Sequence, residues 1–521
     1  MWLINTTTLK LESVVDSKQC KFAILSHTWG DGEVTFQDIQ DLAIARGKPG
    51  FVKIEATCKI ARNARQLKYA WIDTCCIDKT SSAELSEAIN SMFAWYSDAE
   101  VCLVWLSDLE PMPCRASLKE QMETLATALR KCGWFTRGWT LQELIAPRRM
   151  EFFDREWTFV GAKTDLHSVL SATTGIEGSV LSDCSRLRYV PVARRMSWAA
   201  NRKTTRIEDE AYCLLGIFGI NMPLIYGEGQ KAFLRLQEEI ARESNDLSLF
   251  VWQRQCGNAV NTMPKLSGIF AESPVDFSTC ATIKRQDDQF HNDHEFAITN
   301  NGLRIEAALH EVPEAEMNLA GDDYYGIPLE HHALLSLDCV GTEAHPEKKP
   351  RWLWIRLAKI GSTYVRVQPY ELFHTMSRPT LLSHGPKRPI YIRKTFQSAE
   401  NVRIQSFHNT KIVIKVLDGL SYEIDYLNAR PAMSCRENYN TGDFTFETGG
   451  QEGFIGTLVF DLDRYRRKQP RRYLLACGLQ WKEDCCQAWC ALFDSKIGAE
   501  YELCHVMERE SDSTIGEDAN Y

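Results

Sequence analysis

Residues 1–160 alternate short, nearly unbroken apolar runs with stretches of helical spacing, and this alternation constrains the fold more than any other feature of the chain. "FAILSH" (22–27), "YAWIDTCCI" (69–77), "VCLVWLSDL" (101–109) and "MEFFD" (150–154) have the length and composition of buried strands. Between them, "FVKIEATCKIARNARQL" (51–67), "SSAELSEAINSMFAWY" (81–96) and "LKEQMETLATALRKC" (118–132) read as helices. The second of these puts Leu85, Ile89, Met92, Phe93 and Tyr96 on one face, and Ser81 with Glu84 fits a capping box at its start. Strands that alternate with helices bury both faces of a parallel sheet, so an α/β fold is expected over residues 1–160.

In an open parallel sheet the reactive crevice lies beyond the carboxyl ends of the strands. The polar residues at or just after those ends are Ser26, His27, Asp73 and Asp78, and Trp29 and Trp71 offer aromatic surface beside them. Residues 161–245 read as a helical extension, with apolar stripes in "RIEDEAYCLLGIFGI" and "GQKAFLRLQEEIARE". The texture then turns to β over residues 246–506. "FAITNNGLRIEA" carries an Asn-Gly hairpin signal, and the runs from "ALLSLDCV" to "QAWCALF" follow one another without intervening helices. That pattern predicts a sandwich or barrel-like domain. Residues 507–521 form an acidic, polar tail expected to be disordered.

Charge and cysteine usage narrow the function classes. A net charge of −9 gives no global attraction to nucleic acid or anionic lipid. The one basic cluster, "RYRRKQPRR" (464–472), reads more simply as a solvated turn than as a phosphate-binding patch. No apolar run approaches the ~18 residues of a membrane span, and the start lacks a secretory pattern, so a cytoplasmic protein with reduced thiols is expected. Cys485, Cys486, Cys490 and Cys504-His505 lack the paired spacing of a zinc site, and no metal or cofactor is expected. "GEGQKAF" lacks the spacing of a phosphate loop.

The segment "RGWTLQELIAP" (137–147) poses the sharpest chemical question. Its one carboxylate, Glu143, precedes the apolar Leu144, Ile145 and Ala146, where ionised groups are seldom placed without a partner or a task. The bland alternative is a capping box, with Glu143 reaching back to the Thr140 amide.

Three ordered blocks, "FAILSHTWGDGEVTFQDI", "YAWIDTCCIDKTSSAELSEAINSMFAWYSDAEVCLVWLSDL" and "WFTRGWTLQELIAPRRMEFFD", resemble the HET domain of fungal heterokaryon-incompatibility proteins. The resemblance implies a part in programmed cell death after fusion of incompatible cells. The run from "YAWID" to "WTLQEL" is also similar to TIR domains, which have a strand ending in Asp and a later W-C-x-x-E-L motif. Many TIR domains cleave NAD with the glutamate of that motif. The likeness therefore implies a TIR-like sheet, NAD as a substrate, and Glu143 as the catalytic group beside Trp139, with Thr140 where the cysteine often stands.

One carboxylate is enough for that reaction. Nicotinamide leaves as a neutral base from a cationic pyridinium, so the departing group needs no proton, unlike a sugar oxygen. An anion at the ribosyl carbon then stabilises the developing charge. Ser26, His27, Trp29 and Asp73 are candidates for contact with the nucleotide, as is Arg137 for its pyrophosphate, the alternatives being loop hydrogen bonds and a surface salt bridge. Ser26-His27 does not make a nucleophile and base, because adjacent strand residues point apart. Cys75 and Cys76 read as strand residues rather than reactive thiols. Activation by self-association, fixing the loop "CCIDKTSSA", fits the cell-death role, and the β-rich domain is the expected surface for a protein partner. The rival reading is a non-enzymatic signalling module that recruits partners through the HET domain.

Overall fold

The computed structural model describes residues 1–111, 118–255, 266–286, 295–311, 332–341, 351–360, 362–376 and 386–396, and beyond these the strands between 411 and 503 named below. The basic run 464–472 falls outside them except for Arg471 and Arg472, as do Cys504-His505 and the tail 507–521. Contacts divide the chain into two compact units. One comprises Met1–Met263, Gly268–His310 and Leu334–Thr395, and the other Pro264–Ser267, Glu311–Ala333 and Phe396–Tyr521.

The first unit contains a seven-stranded sheet of order β2-β1-β4-β3-β5-β6-β7. These strands are β1 (Trp2–Asn5), β2 (Leu11–Ser13), β3 (Phe22–His27), β4 (Tyr69–Trp71), β5 (Val101–Trp105), β6 (Met150–Phe153) and β7 (Phe159–Ala162). The four central strands, β4-β3-β5-β6, are mutually parallel, and the outer pairings are antiparallel. The sheet is thus mixed α/β with a parallel centre, as the alternation predicts. Every residue of β3 is buried, which explains the apolar run Phe22–Leu25 on both of its faces. Chain order reverses at β3, whose two neighbours are β4 and β5, so the strand ends there flank the crevice in which open α/β sheets bind ligands.

Five helices connect these strands: α1 (Leu42–Arg46), α2 (Phe51–Arg65), α3 (Ser82–Asp98), α4 (Leu118–Leu129) and α5 (Thr140–Ile145). Register decides which face each covers. Ala23 pairs with Val101, and both pack with Leu103 against Ala61 of α2. Ile24 pairs with Trp71 and Cys102 and so points the other way. On that side Trp71 meets Trp95 and Tyr96 of α3 edge to face, at 5.6 and 5.9 Å. Trp71 is fully buried, and truncating it to Ala would cost about 3–5 kcal/mol.

Two local expectations need correction. "YAWIDTCCI" is a strand only as far as Trp71, and Cys75 and Cys76 lie in the tight turn that follows, where backbone amides bond back to the Ile72 carbonyl. Both thiols are buried, and that of Cys75 is held well above its usual range by its contact with Cys76 and by burial. The capping box of α3 is half formed. Ser81 accepts from the Glu84 amide, but Glu84 accepts from the Asp78 amide rather than from Ser81.

Residues 161–245 are helical in short pieces, the longest being Lys231–Glu243. The β texture beyond is real. In the first unit Phe296–Thr299 and Gly302–Ala307 form a hairpin whose two loop residues are Asn300 and Asn301. Gly302 is therefore the first residue of the second strand, at φ +123°, where an added Cβ would lie 2.2 Å from the Ile392 carbonyl oxygen. That hairpin joins Arg388–Ile392, Thr363–Val367, Arg351–Ile360 and His332–Gly341 in one sheet. The second unit carries a five-stranded antiparallel sheet of Tyr422–Arg430, Ile455–Leu462, Arg471–Lys482, Cys485–Asp494 and Glu500–Leu503. Beside it in sequence are the three strands Lys411–Ile414, Phe444–Glu447 and Cys435–Glu437. Among the described residues no helix is long and apolar enough to cross a membrane.

Candidate active site

The end of β3 sends its last two side chains to opposite faces of the sheet, and each finds a charged partner. Ser26 lies on the Ile24 face and is fully buried there. Its hydroxyl donates to Oε2 of Glu143, the carboxylate of α5, at 2.5 Å and accepts from Nε1 of Trp134 at 2.9 Å. His27 lies on the α2 side, with Nδ1 2.9 Å from the buried Nζ of Lys53 and Nε2 3.1 Å from Oδ1 of Asp73. An ammonium can only donate, so Nδ1 is the acceptor and Nε2–H donates to Asp73. Lys53 is itself paired with Glu33. Oδ2 of Asp73 takes the Trp29 indole N–H at 2.8 Å. Trp29 is half exposed, and one face of its ring carries Nζ of Lys79 at 3.7 Å from the ring centre.

Glu143 is not a helix cap. Thr140 is the first helical residue of α5 and Trp139 precedes it in the right-handed helical region, whereas a capping residue is extended; no side chain caps this helix. The Thr140 hydroxyl instead donates toward the carbonyls of Trp134 and Arg137, at 2.5 and 2.9 Å, and accepts from Arg202 at 2.9 Å. That leaves the Glu143 carboxylate free to turn to Ser26.

The two carboxylates of the site are driven apart in acidity. Burial, and then the negative charge of Asp73, raise Glu143 to about 8, against the Ser26 hydrogen bond and the charge of Arg202. The Tyr96 hydroxyl lies near but donates to the Leu25 carbonyl at 3.1 Å, so Ser26 is the main local stabiliser of the Glu143 anion. Burial pushes Asp73 upward too, but the hydrogen bonds from His27 and Trp29 and the charge of Lys79 outweigh it and hold Asp73 at about 2. Paired groups with opposed shifts are a signature of acid–base chemistry.

Both carboxylates open onto a cavity of about 380 Å³, a volume usual for small-molecule sites. His27, Trp29, Asp73 and Lys79 line one side and Ile77, Leu85, Ile89 and Met92 form an apolar wall. Arg137, Trp139, Thr140 and Glu143 follow, and Thr205, Arg206, Asp209 and Tyr226 complete the lining. The sequence candidates Glu143, His27, Trp29, Asp73, Arg137 and Trp139 are thereby brought together. Ser26 is not in the lining; it stands behind Glu143.

Residues 22–117 match the family described as heterokaryon incompatibility protein (HET). The chain carries a HET domain. Residues 231–310 match a domain of unknown function, DUF8212. The chain is 47% identical over 236 residues to the vegetative incompatibility protein HET-E-1 of Podospora anserina, covering 44% of this chain and 16% of that protein. No solved structure gives a significant match.

The HET match ends before Arg137, Trp139 and Glu143, although these share one cavity with His27, Trp29 and Asp73 inside it. Sequence reasoning also missed Thr205, Arg206, Asp209 and Tyr226, which come from the helical extension. One close joint between the extension and the segment before α5 is at Gly138. Its amide donates to the Lys203 carbonyl at 2.9 Å, the Lys203 amide donates to the Thr136 carbonyl at 2.7 Å, and Arg137 and Lys203 form a parallel bridge. A Cβ at position 138 would lie 2.6 Å from Cγ2 of Thr204 and 3.1 Å from Sγ of Cys213. A glycine between Arg137 and Trp139 was the available signal for this close approach.

Proposed function

We propose that this chain acts in vegetative incompatibility as an NAD glycohydrolase of TIR-like design, with Glu143 as its catalytic carboxylate. The HET domain and the likeness to HET-E-1 support the biological role. The parallel order β4-β3-β5-β6, with a strand ending before Asp73 and a Trp139-x-x-x-Glu143 segment entering the core, supports the TIR-like reading. The single observation that carries the chemistry is that Glu143 leaves the capping position, takes the Ser26 hydroxyl and faces a ligand-sized cavity beside Asp73.

In the reaction, the bond between the ribosyl carbon and the pyridinium nitrogen breaks and its electron pair leaves with nicotinamide. Water adds to the ribosyl carbon and its proton goes to solvent, giving ADP-ribose. Ionised Glu143 stabilises the positive charge that develops on the ribosyl carbon. In the empty cavity burial keeps Glu143 protonated at neutral pH. A cationic nicotinamide ring beside it supplies the counter-charge that favours the anion, so substrate binding is coupled to loss of that proton. His27, fixed by Lys53, holds Asp73 for the same cation, and the loop 75–83 carrying Lys79 is the segment that self-association would set in place.

The test is release of nicotinamide from NAD by the purified full chain, in monomeric and assembled fractions, alongside Glu143→Gln. Hydrolysis that falls about 10²–10³-fold in the variant supports the reading. Equal rates in a folded variant exclude Glu143, and inactivity of every oligomeric form favours a recruiting module.

A further inference from the structure

The cavity is electrically polarised, with Asp73 from the turn after β4, Glu143 from α5, and two guanidinium groups, Arg137 and Arg206, from the loop before α5 and from the extension. Neither arginine has a carboxylate within ion-pair distance among the described residues. Both are nonetheless held in place. Arg137 donates to the Thr205 hydroxyl at 3.3 Å, and the bridge to Lys203 fixes its backbone. The Arg206 guanidinium stacks over Tyr226, 4.5 Å from the ring centre, and the Thr204 hydroxyl donates to its carbonyl at 2.6 Å. Stacking spends the face of a guanidinium and leaves its in-plane N–H groups available, the geometry suited to phosphate oxygens.

We infer that Arg137 and Arg206 form a clamp for the pyrophosphate of a dinucleotide, so that the loop before α5 and the extension together supply the anion-binding half of a site whose cation-binding half is Asp73 and Glu143. The inference rests on the NAD reading for the identity of the ligand, though the anion site stands on its own geometry. Asp209 lines the same end and feels the charge of Arg206, an interaction that burial weakens by disfavouring the Asp209 anion. Its carboxylate receives the Tyr226 hydroxyl at 3.0 Å and a hydrogen bond from Trp139, and burial resists its ionisation. NAD carries a pyridinium charge at one end and two phosphate charges in its middle, which matches this polarity. A nucleoside lacking phosphates does not use the clamp.

Calorimetric titration of the full chain with ADP-ribose, inorganic pyrophosphate and adenosine tests the clamp without relying on catalysis. ADP-ribose is expected to bind, with affinity lowered about tenfold or more in Arg206→Ala and in Arg137→Ala, and partly restored in Arg206→Lys. Arg206 is exposed, so its loss does not threaten the fold. Pyrophosphate is expected to compete with ADP-ribose, and adenosine binding to be indifferent to both substitutions. Absence of ADP-ribose binding to the parent chain, or equal affinity in both variants, overturns the clamp. If ADP-ribose binding depends on the arginines while no form of the protein cleaves NAD, the clamp stands and the glycohydrolase reading falls. If hydrolysis needs Glu143 but the KM for NAD ignores both arginines, the clamp alone falls.

Discussion

The Ser26 hydroxyl donates to Glu143 Oε2 at 2.5 Å while receiving the Trp134 indole N–H at 2.9 Å, so one small side chain both orients the carboxylate and favours its charged form. Ser26→Ala removes that donor and leaves Trp134 without its acceptor. The ionisation of Glu143 is expected to move upward by about one to two pH units, because a hydrogen bond to a charged group contributes roughly 1.5–3 kcal/mol. The pH profile of kcat/KM for NAD checks this. Its rising limb, set near 8 in the parent, should shift to higher pH, with a larger loss of activity at pH 7 than at pH 9. A uniform loss across the profile means that Ser26 acts otherwise than through Glu143 ionisation.

Glu143→Gln should separate stability from activity. The folded-state pKa of Glu143 is raised from 4.5 to about 8, so its stability contribution is fully present below about pH 4.5 and is lost as pH rises through 8. The upper bound of the loss is roughly 5 kcal/mol. An amide of the same shape escapes it. The variant is therefore expected to unfold at higher denaturant than the parent at pH 8–9 and to match it near pH 4, while failing in hydrolysis. Equal midpoints at both pH values would falsify the buried, proton-holding Glu143 described above.

Asp73 should behave in the opposite sense. Its pKa is lowered from 3.8 to about 2, so its contribution is present above 3.8 and lost as pH falls through 2. Asp73→Asn is expected to destabilise by at most about 2 kcal/mol at neutral pH, a ceiling to be discounted because the side chain is 21% exposed. The difference from the parent should narrow between pH 4 and 2, as followed by denaturant midpoints. Asn offers one acceptor oxygen where His27 and Trp29 each had their own, so the Trp29 indole should loosen on its exposed side, read as a change in indole fluorescence.

The α/β frame was legible because burial on both faces of β3 and β5 leaves a physical mark, apolar residues on both faces over Phe22–Leu25 and Val101–Val104. His27 and Asp73 were legible for a related reason, since strand ends in such a sheet point at the crevice. Ser26 was legible as a polar group but not as a partner of Glu143, a contact 117 residues distant in sequence and set by where α5 enters the core. Arg206, Asp209 and Tyr226 carry no periodic mark of a site. They lie in a stretch whose apolar spacing reports helix packing, and long-range contacts such as Gly138–Lys203 and Arg202–Thr140 bring it to the cavity. Cys75 and Cys76 show the same limit at short range. An apolar run continues past the last strand residue, and periodicity cannot distinguish a buried turn from a strand.

Gly138→Ala tests that contact most directly. The added methyl would meet Thr204 at 2.6 Å and Cys213 at 3.1 Å, and the backbone on either side cannot easily yield because the Gly138 and Lys203 amides are both hydrogen-bonded across the joint. Overpacking of this kind costs about 1–3 kcal/mol. The displaced segment carries Thr205 and Arg206, and also Arg202, whose charge favours the Glu143 anion. The KM for NAD is expected to rise several-fold, with the pH at which Glu143 ionises moving upward by less than in Ser26→Ala, both read from the same pH-rate profiles. A variant that loses stability with an unchanged KM would show that the extension can retreat from Gly138 without disturbing the cavity, and that the joint serves packing alone.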